Sequence, residues 1–76
     1  MVGKLLMDLG VGEVGRIAEL TTSDRKIVAI LMRLGIIPGI SIRLLRKKPA
    51  CILQVGHSKV ALDYDLAMFI RIYPRK

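Results

Sequence analysis

The side chains of this sequence that could ligate a transition metal are few and scattered. Metal sites built from cysteine and histidine usually show paired ligands at short spacing, such as CxxC or HxxxH. The chain has one cysteine and one histidine, so neither pair exists. We therefore expect no metal site and no cofactor, and we expect Cys51 to face the core as a small apolar residue. The candidate ligands weighed for this are Cys51, His57, Asp63 and Asp65.

Catalytic chemistry has still less support. The chain has one histidine, His57, to act as an acid or base, and no serine, histidine and aspartate set suggests a nucleophilic site. The segment GVGEVG, residues 10–15, has the spacing of a GxGxxG loop, but it precedes a predicted strand. A phosphate-binding glycine loop uses the N-terminus of the helix that follows it, which is missing here. We predict that the protein is not an enzyme.

Positive charge is the strongest chemical signal in the chain. Thirteen lysines and arginines against six aspartates and glutamates give a net charge of +7, which favours an anionic partner. One basic group in the chain could contact an acidic protein surface or anionic lipid headgroups. The alternative is that this group is a solvated turn that keeps the protein soluble. The group consists of Arg43, Arg46, Lys47 and Lys48, with Arg71, Arg75 and Lys76 as further members.

A second candidate for partner binding precedes the basic group. Ile36 and Ile37 are apolar residues in a predicted turn, where solvent exposure is usual, and Pro38 and Gly39 complete the turn. The alternative is that both isoleucines pack under the sheet. Proline followed by glycine is typical of a type II turn, so these two residues also have a conformational reason to be present.

One helix is predicted directly before this turn. Thr22 or Ser23 is the predicted N-cap, and Asp24 would place negative charge at the positive end of the helix dipole. Ile27, Ile30 or Leu31, and Leu34 recur at the spacing of one helical face, which we expect to be buried. Gly35 is predicted at C′, where glycine adopts a left-handed conformation without strain.

The remaining segments predict short strands. Residues 4–15 should form a 3₁₀ or irregular turn followed by a loop, and residues 15–20 the first strand. Residues 40–47, 50–56 and 58–63 should form a three-stranded meander, with Gly56 and His57 as a tight connection. Asp63 is a candidate N-cap for one helical turn, and residues 69–73 form the last strand. The prediction is a single domain, residues 1–76, that is mainly β, with about five strands in a small, partly open barrel. One helix follows the first strand, and a short helical turn precedes the last.

These residues together resemble the FeoA family. The resemblance rests on the opening LLMDLGVGEVGRI, on Arg33-Leu34-Gly35-Ile36 with Pro38-Gly39, and on VAL at 60–62. Ile42, Pro49, Gly56, Ala67 and Ile70 extend it over nearly the whole chain. One position departs from the family: Asp63 stands where members usually have arginine after this VAL, so no contact of that arginine is transferred.

The resemblance implies an SH3-like barrel and a non-enzymatic role in ferrous iron transport. It implies a cytoplasmic accessory protein that binds FeoB, the membrane protein with a cytoplasmic GTP-hydrolysing domain that conducts Fe²⁺. Membrane association would then occur through the transporter. The longest apolar run, residues 27–32, is far shorter than the roughly 20 residues of a membrane span. The high apolar content also suits a homo-oligomer.

RNA binding is the alternative function. Small basic barrels bind RNA, but single-stranded RNA is usually held by stacking on exposed aromatic side chains. Three aromatic residues are present, Tyr64, Phe69 and Tyr73, and Phe69 is expected in the core. We therefore predict protein binding ahead of nucleic-acid binding.

Overall fold

The computed structural model describes residues 3–74, which form one antiparallel sheet with two helices. The predicted mainly β architecture is confirmed, with six strands where about five were expected. The strands are β1 (Lys4–Leu5), β2 (Val14–Leu20), β3 (Ser41–Arg46), β4 (Cys51–Val55), β5 (Ser58–Leu62) and β6 (Ile70–Pro74). The helices are α1 (Arg25–Arg33) and α2 (Tyr64–Ala67), and Leu6–Asp8 form the expected 3₁₀ turn.

The strand order of the sheet is β1-β6-β2-β3-β4-β5. The last strand therefore lies between the first two, and it pairs antiparallel with both. The meander β3-β4-β5 follows on the other side of β2, as its local pattern predicted. Strand β1 was not predicted, because it has only two residues and is defined by its pairing with β6.

One face of the curled sheet supplies the core. In β3, Ile42 and Leu44 are buried while Ser41 and Arg43 are exposed, which is the alternation that strand geometry imposes. The same alternation in the other strands, together with α1 and the 3₁₀ turn, encloses a wholly apolar interior. Its members are Leu6, Leu9, Ile17, Leu31, Ile36, Ile42, Leu44, Cys51, Leu53, Val60, Leu62, Ala67, Ile70 and Ile72.

The close approach of β2 and β6 requires a glycine. A Cβ atom added to Gly15 would lie 2.2 Å from Cγ2 of Ile72, far inside van der Waals contact. Glycine within a strand often marks such an approach. Gly15 therefore lets the Ile72 side chain enter the core beside β2.

The start of α1 differs from the prediction. The N-cap is Asp24, whose carboxylate accepts a hydrogen bond from the backbone N–H of Lys26 at 2.9 Å. Thr22 instead accepts a hydrogen bond from the N–H of Asp24, and Ser23 makes no cap. The prediction of Thr22 or Ser23 as the N-cap was therefore wrong. Residues 22–24 are all of types that can cap a helix, so the sequence alone does not show after which of them the first turn begins.

The end of α1 is a Schellman motif. The N–H of Gly35 donates to the carbonyl of Met32, and the N–H of Ile36 donates to the carbonyl of Leu31, both at 3.0 Å. Gly35 has φ +89°, as predicted for C′. The helix has ended at Leu34, so that side chain is partly exposed, and Ile36 packs with Leu31 in the core. The expected burial of Leu34 was wrong for this reason, whereas Leu31 is the buried member of the pair Ile30 and Leu31.

The connections beyond β4 follow their predicted positions. Val55 pairs with Ser58 across Gly56 and His57, and Gly56 has φ +61°, as expected for a glycine that opens a tight hairpin turn. Asp63 occupies the N-cap position of α2, but its side chain makes no capping hydrogen bond. The predicted N-cap position is therefore confirmed, although the carboxylate does not make the capping hydrogen bond. The carbonyl of Asp63 instead accepts the first hydrogen bonds of the turn, from Leu66 and Ala67.

Candidate docking surfaces

The turn between α1 and β3 presents apolar side chains to solvent. The carbonyl of Ile37 accepts a hydrogen bond from the N–H of Ile40 at 3.1 Å, and Gly39 has φ +96°, as in a type II turn. Gly39 also donates to the carbonyl of Ile17 at 2.7 Å, which fixes the turn against β2. We call the group of Leu34, Ile37, Pro38, Gly39 and Ile40 the apolar corner.

The two isoleucines of this corner have opposite environments. Ile36 is 0% exposed, whereas Ile37 is 39% exposed. Leu34 and Ile40 are exposed to almost the same extent as Ile37. The side chain of Ile36 therefore belongs to the core and offers nothing to a partner. The other large apolar side chains of the corner are accessible without any rearrangement.

The basic group lies at the other end of β3. Ile40 precedes the first residue of this strand and Arg46 is its last, which separates them by about 20 Å at roughly 3.3 Å per residue. Lys47 and Lys48 continue into the turn before β4. The extended strand therefore separates the corner from Arg46, Lys47 and Lys48, whereas Arg43 lies between them.

Further cations share the outward face of the sheet with this group. Arg16 in β2 is paired with Ser41, and Arg43 two residues further along β3 is its diagonal neighbour. Across the next strands, Arg43 is paired with Gln54 and Gln54 with Lys59. Directly paired residues project from the same face of a sheet. We call the set Arg16, Arg43, Arg46, Lys47, Lys48 and Lys59 the basic face.

The prediction from sequence omitted Arg16 and Lys59. Both are exposed and directly precede a buried core residue, Ile17 and Val60 respectively. That alternation is visible in the sequence, but the sharing of a face with Arg43 follows only from strand register. Arg71 lies on the same outward side of the sheet, two residues before Tyr73 in β6, but its Nε is 3.9 Å from Glu19 Oε1 and its guanidinium donates to the Gly3 carbonyl, so it is not counted in the basic face. Arg75 and Lys76 lie outside the described residues.

An aromatic side chain from α2 contacts the turn between β3 and β4, residues 47–50, which we call the basic turn. The hydroxyl of Tyr64 donates to the carbonyl of Lys47 and lies 3.5 Å from the carbonyl of Pro49. At the other side of the face, the guanidinium of Arg43 donates to the carbonyl of Gly12 at 2.8 Å. These contacts orient the backbone and one arginine of the basic face.

The candidate metal ligands are not brought together. Cys51 is fully buried, as predicted, and desolvation raises the pKa of its thiol. Within residues 3–74, no group of three or more histidine, cysteine, aspartate or glutamate side chains has a geometry that could hold a metal ion. In the same part of the chain, neither helix has the length and apolarity that crossing a membrane requires.

Comparison with known families gives one match, to the FeoA domain, over residues 4–74. This range takes in every strand and both helices. No curated protein sequence matches the chain at a significant level.

Solved structures share the fold at low sequence identity. The crystal structure of an iron uptake regulatory protein (FeoA) superposes with a TM-score of 0.88 at 21% identity, covering 99% of this chain and all of that one (100%). The solution structure of a FeoA-like protein from Clostridium acetobutylicum gives 0.87 at 18% identity, covering 100% of this chain and 91% of that one. These similarities confirm the predicted SH3-like fold.

The same fold also occurs within a larger protein. The crystal structure of IdeR from T. acidophilum gives a TM-score of 0.93 at 21% identity, covering 99% of this chain but 35% of that one. The chain thus corresponds to about a third of that protein, and at this identity the likeness concerns the fold alone.

Proposed function

The chain belongs to the FeoA family, and from this membership we propose that it is a non-catalytic, cytoplasmic accessory protein that binds the FeoB transporter and modulates Fe²⁺ uptake. Membership itself implies an accessory role in ferrous iron transport. The specific partner and the mode of action are the content of the proposal. A partner of this kind acts by binding one conformation of the transporter more tightly than another, since equal affinity for all conformations would shift none of them.

The observation that carries the docking proposal is the exposure of the apolar corner. Leu34, Ile37 and Ile40 are each more than a third exposed within seven residues of chain, and the backbone that carries them is fixed. Monomeric proteins seldom expose such groups of large apolar side chains without a binding role. A fixed backbone also lowers the entropy lost on binding. We assign the FeoB contact to this corner, with Ile37 at its centre.

The first test measures binding to full-length FeoB held in nanodiscs of zwitterionic lipid. Replacement Ile37→Ser removes the apolar contact and should weaken binding by about tenfold or more, the effect of truncating an interface residue that contributes strongly. Biolayer interferometry gives the dissociation constant. The control is Val11→Ser, which changes an exposed β-branched residue in the loop before β2 and should leave the affinity unchanged.

This experiment tests the proposed function and the proposed docking surface separately. An unmodified protein that shows no saturable binding to FeoB would contradict the function. Binding that is equally strong for the unmodified protein and Ile37→Ser would contradict the docking surface alone.

A further inference from the structure

We propose that the basic face, which borders the apolar corner at Arg16, binds the anionic headgroups of a lipid bilayer. The proposal places the accessory protein directly on the membrane that holds its transporter, and to that extent it rests on the proposed function. The binding itself requires no transporter, so the two can be tested apart.

The first support is the sign and continuity of the charge. Arg16, Arg43 and Lys59 belong to three strands and project from one face, and Arg46 follows them along β3. The positions paired with these cations carry no charge. They are Val14, Ser41, Ile52, Gln54 and Tyr73.

The second support is the absence of neutralising partners. Within residues 3–74 the only ion pair joins Arg71 to Glu19, so none of the six cations of the basic face is paired with a carboxylate. Two acidic residues, Asp63 and Asp65, flank Tyr64 and lie towards one end of the basic turn. A surface of unpaired, exposed cations is attracted to anionic lipid by an amount that grows with each lysine or arginine.

The aromatic side chains favour lipid over nucleic acid as the occupant. Single-stranded nucleic acid is held largely by stacking of bases on aromatic rings. Phe69 packs against the core, and the hydroxyl of Tyr64 is bound to the basic turn. Tyr64 and Tyr73 are both exposed, but the hydroxyl of Tyr64 ties its ring to the carbonyl of Lys47, and Tyr73 is paired with Arg16. Exposed tyrosines beside cations suit the headgroup region of a bilayer, where a ring with a polar end is favoured.

The experiment is co-sedimentation of the full chain with vesicles of phosphatidylcholine and phosphatidylglycerol, against vesicles of phosphatidylcholine alone, at physiological salt. The unmodified protein should bind the anionic vesicles only. The triple variant Arg16→Gln, Arg46→Gln and Lys59→Gln should bind about 100-fold more weakly, since each cation near an anionic surface contributes roughly a factor of five.

A matched variant separates the face from net charge. Arg25→Gln, Lys26→Gln and Arg33→Gln remove the same number of positive charges from exposed positions of α1. This variant should keep most of the affinity. Equal losses in both triple variants would overturn the proposal, because net charge alone would then explain the attraction. Failure of the unmodified protein to distinguish anionic from neutral vesicles would overturn it as well.

A single-stranded RNA oligonucleotide titrated in parallel tests the competing occupant. Binding that persists at physiological salt and is lost in Tyr64→Ala or Tyr73→Ala would overturn the lipid assignment in favour of RNA. Binding that disappears as salt is raised is the nonspecific attraction expected of any basic surface and supports the assignment. The vesicles contain no FeoB, and the FeoB nanodiscs contain no anionic lipid, so neither result depends on the other.

Discussion

At the scale of single residues, Cys51 has a side chain whose chemistry is set by burial. It is fully enclosed in the apolar core, and desolvation raises the pKa of its thiol above its ordinary value. The thiolate is the reactive form, so both the pKa and the lack of access oppose modification. We expect iodoacetamide to alkylate Cys51 in the unfolded chain and to leave it unmodified in the native protein, as measured by mass spectrometry. Rapid alkylation of the native protein would contradict its place in the core.

The same burial predicts a pH dependence of stability. Because the pKa of Cys51 is higher in the folded than in the unfolded chain, the stability that depends on its neutral thiol is complete below the unfolded pKa and is lost as the pH rises through the folded pKa. The unmodified protein should therefore lose part of its advantage over Cys51→Ala on going to alkaline pH. Urea unfolding of both proteins over this range measures the difference, and other ionising groups cancel in the comparison. A difference that stays constant through pH 10 would be inconsistent with the raised pKa.

At the scale of elements, Tyr64 couples α2 to the turn between β3 and β4. Its hydroxyl donates to the carbonyl of Lys47, so the side chain of the first residue of α2 links this short helix to the turn. Tyr64→Phe removes this hydrogen bond and should lower the free energy of unfolding by about 1 kcal/mol, the usual net value of such a bond. Tyr73→Phe is the control, and urea denaturation is the measurement. Equal stability of the two variants would show that the contact contributes nothing.

The elements also show what local sequence determines. The glycine at 35, the Pro38-Gly39 turn and the Gly56-His57 hairpin have backbone requirements that few residue types satisfy, and all three were predicted. The N-cap of α1 was misplaced because several adjacent residues satisfy the same requirement. The basic face was predicted only in part, since strand register brings Arg16 and Lys59 beside Arg43 and register depends on residues far apart in the chain.

At the scale of the whole molecule, the net charge of +7 repels itself, while the single ion pair of the described residues is exposed and 3.9 Å long. Sodium chloride up to about 0.1 M should therefore raise the urea midpoint, because screening relieves more repulsion than it removes attraction. The variant with Arg16, Arg46 and Lys59 replaced by glutamine should respond less. A midpoint that falls with added salt would show that attractive pairs outweigh the repulsion.

The position of β6 between β1 and β2 has a consequence for the order of assembly. During synthesis, β1 and β2 leave the ribosome long before β6, the strand that pairs with both of them. Until residues 70–74 emerge, β1 has no partner at all and β2 has an open edge on that side. The meander β3-β4-β5 can form during synthesis, but β1 and β2 can be joined only after residues 70–74 have emerged. A polypeptide that stops before residue 70 therefore leaves β1 unpaired and one edge of β2 open.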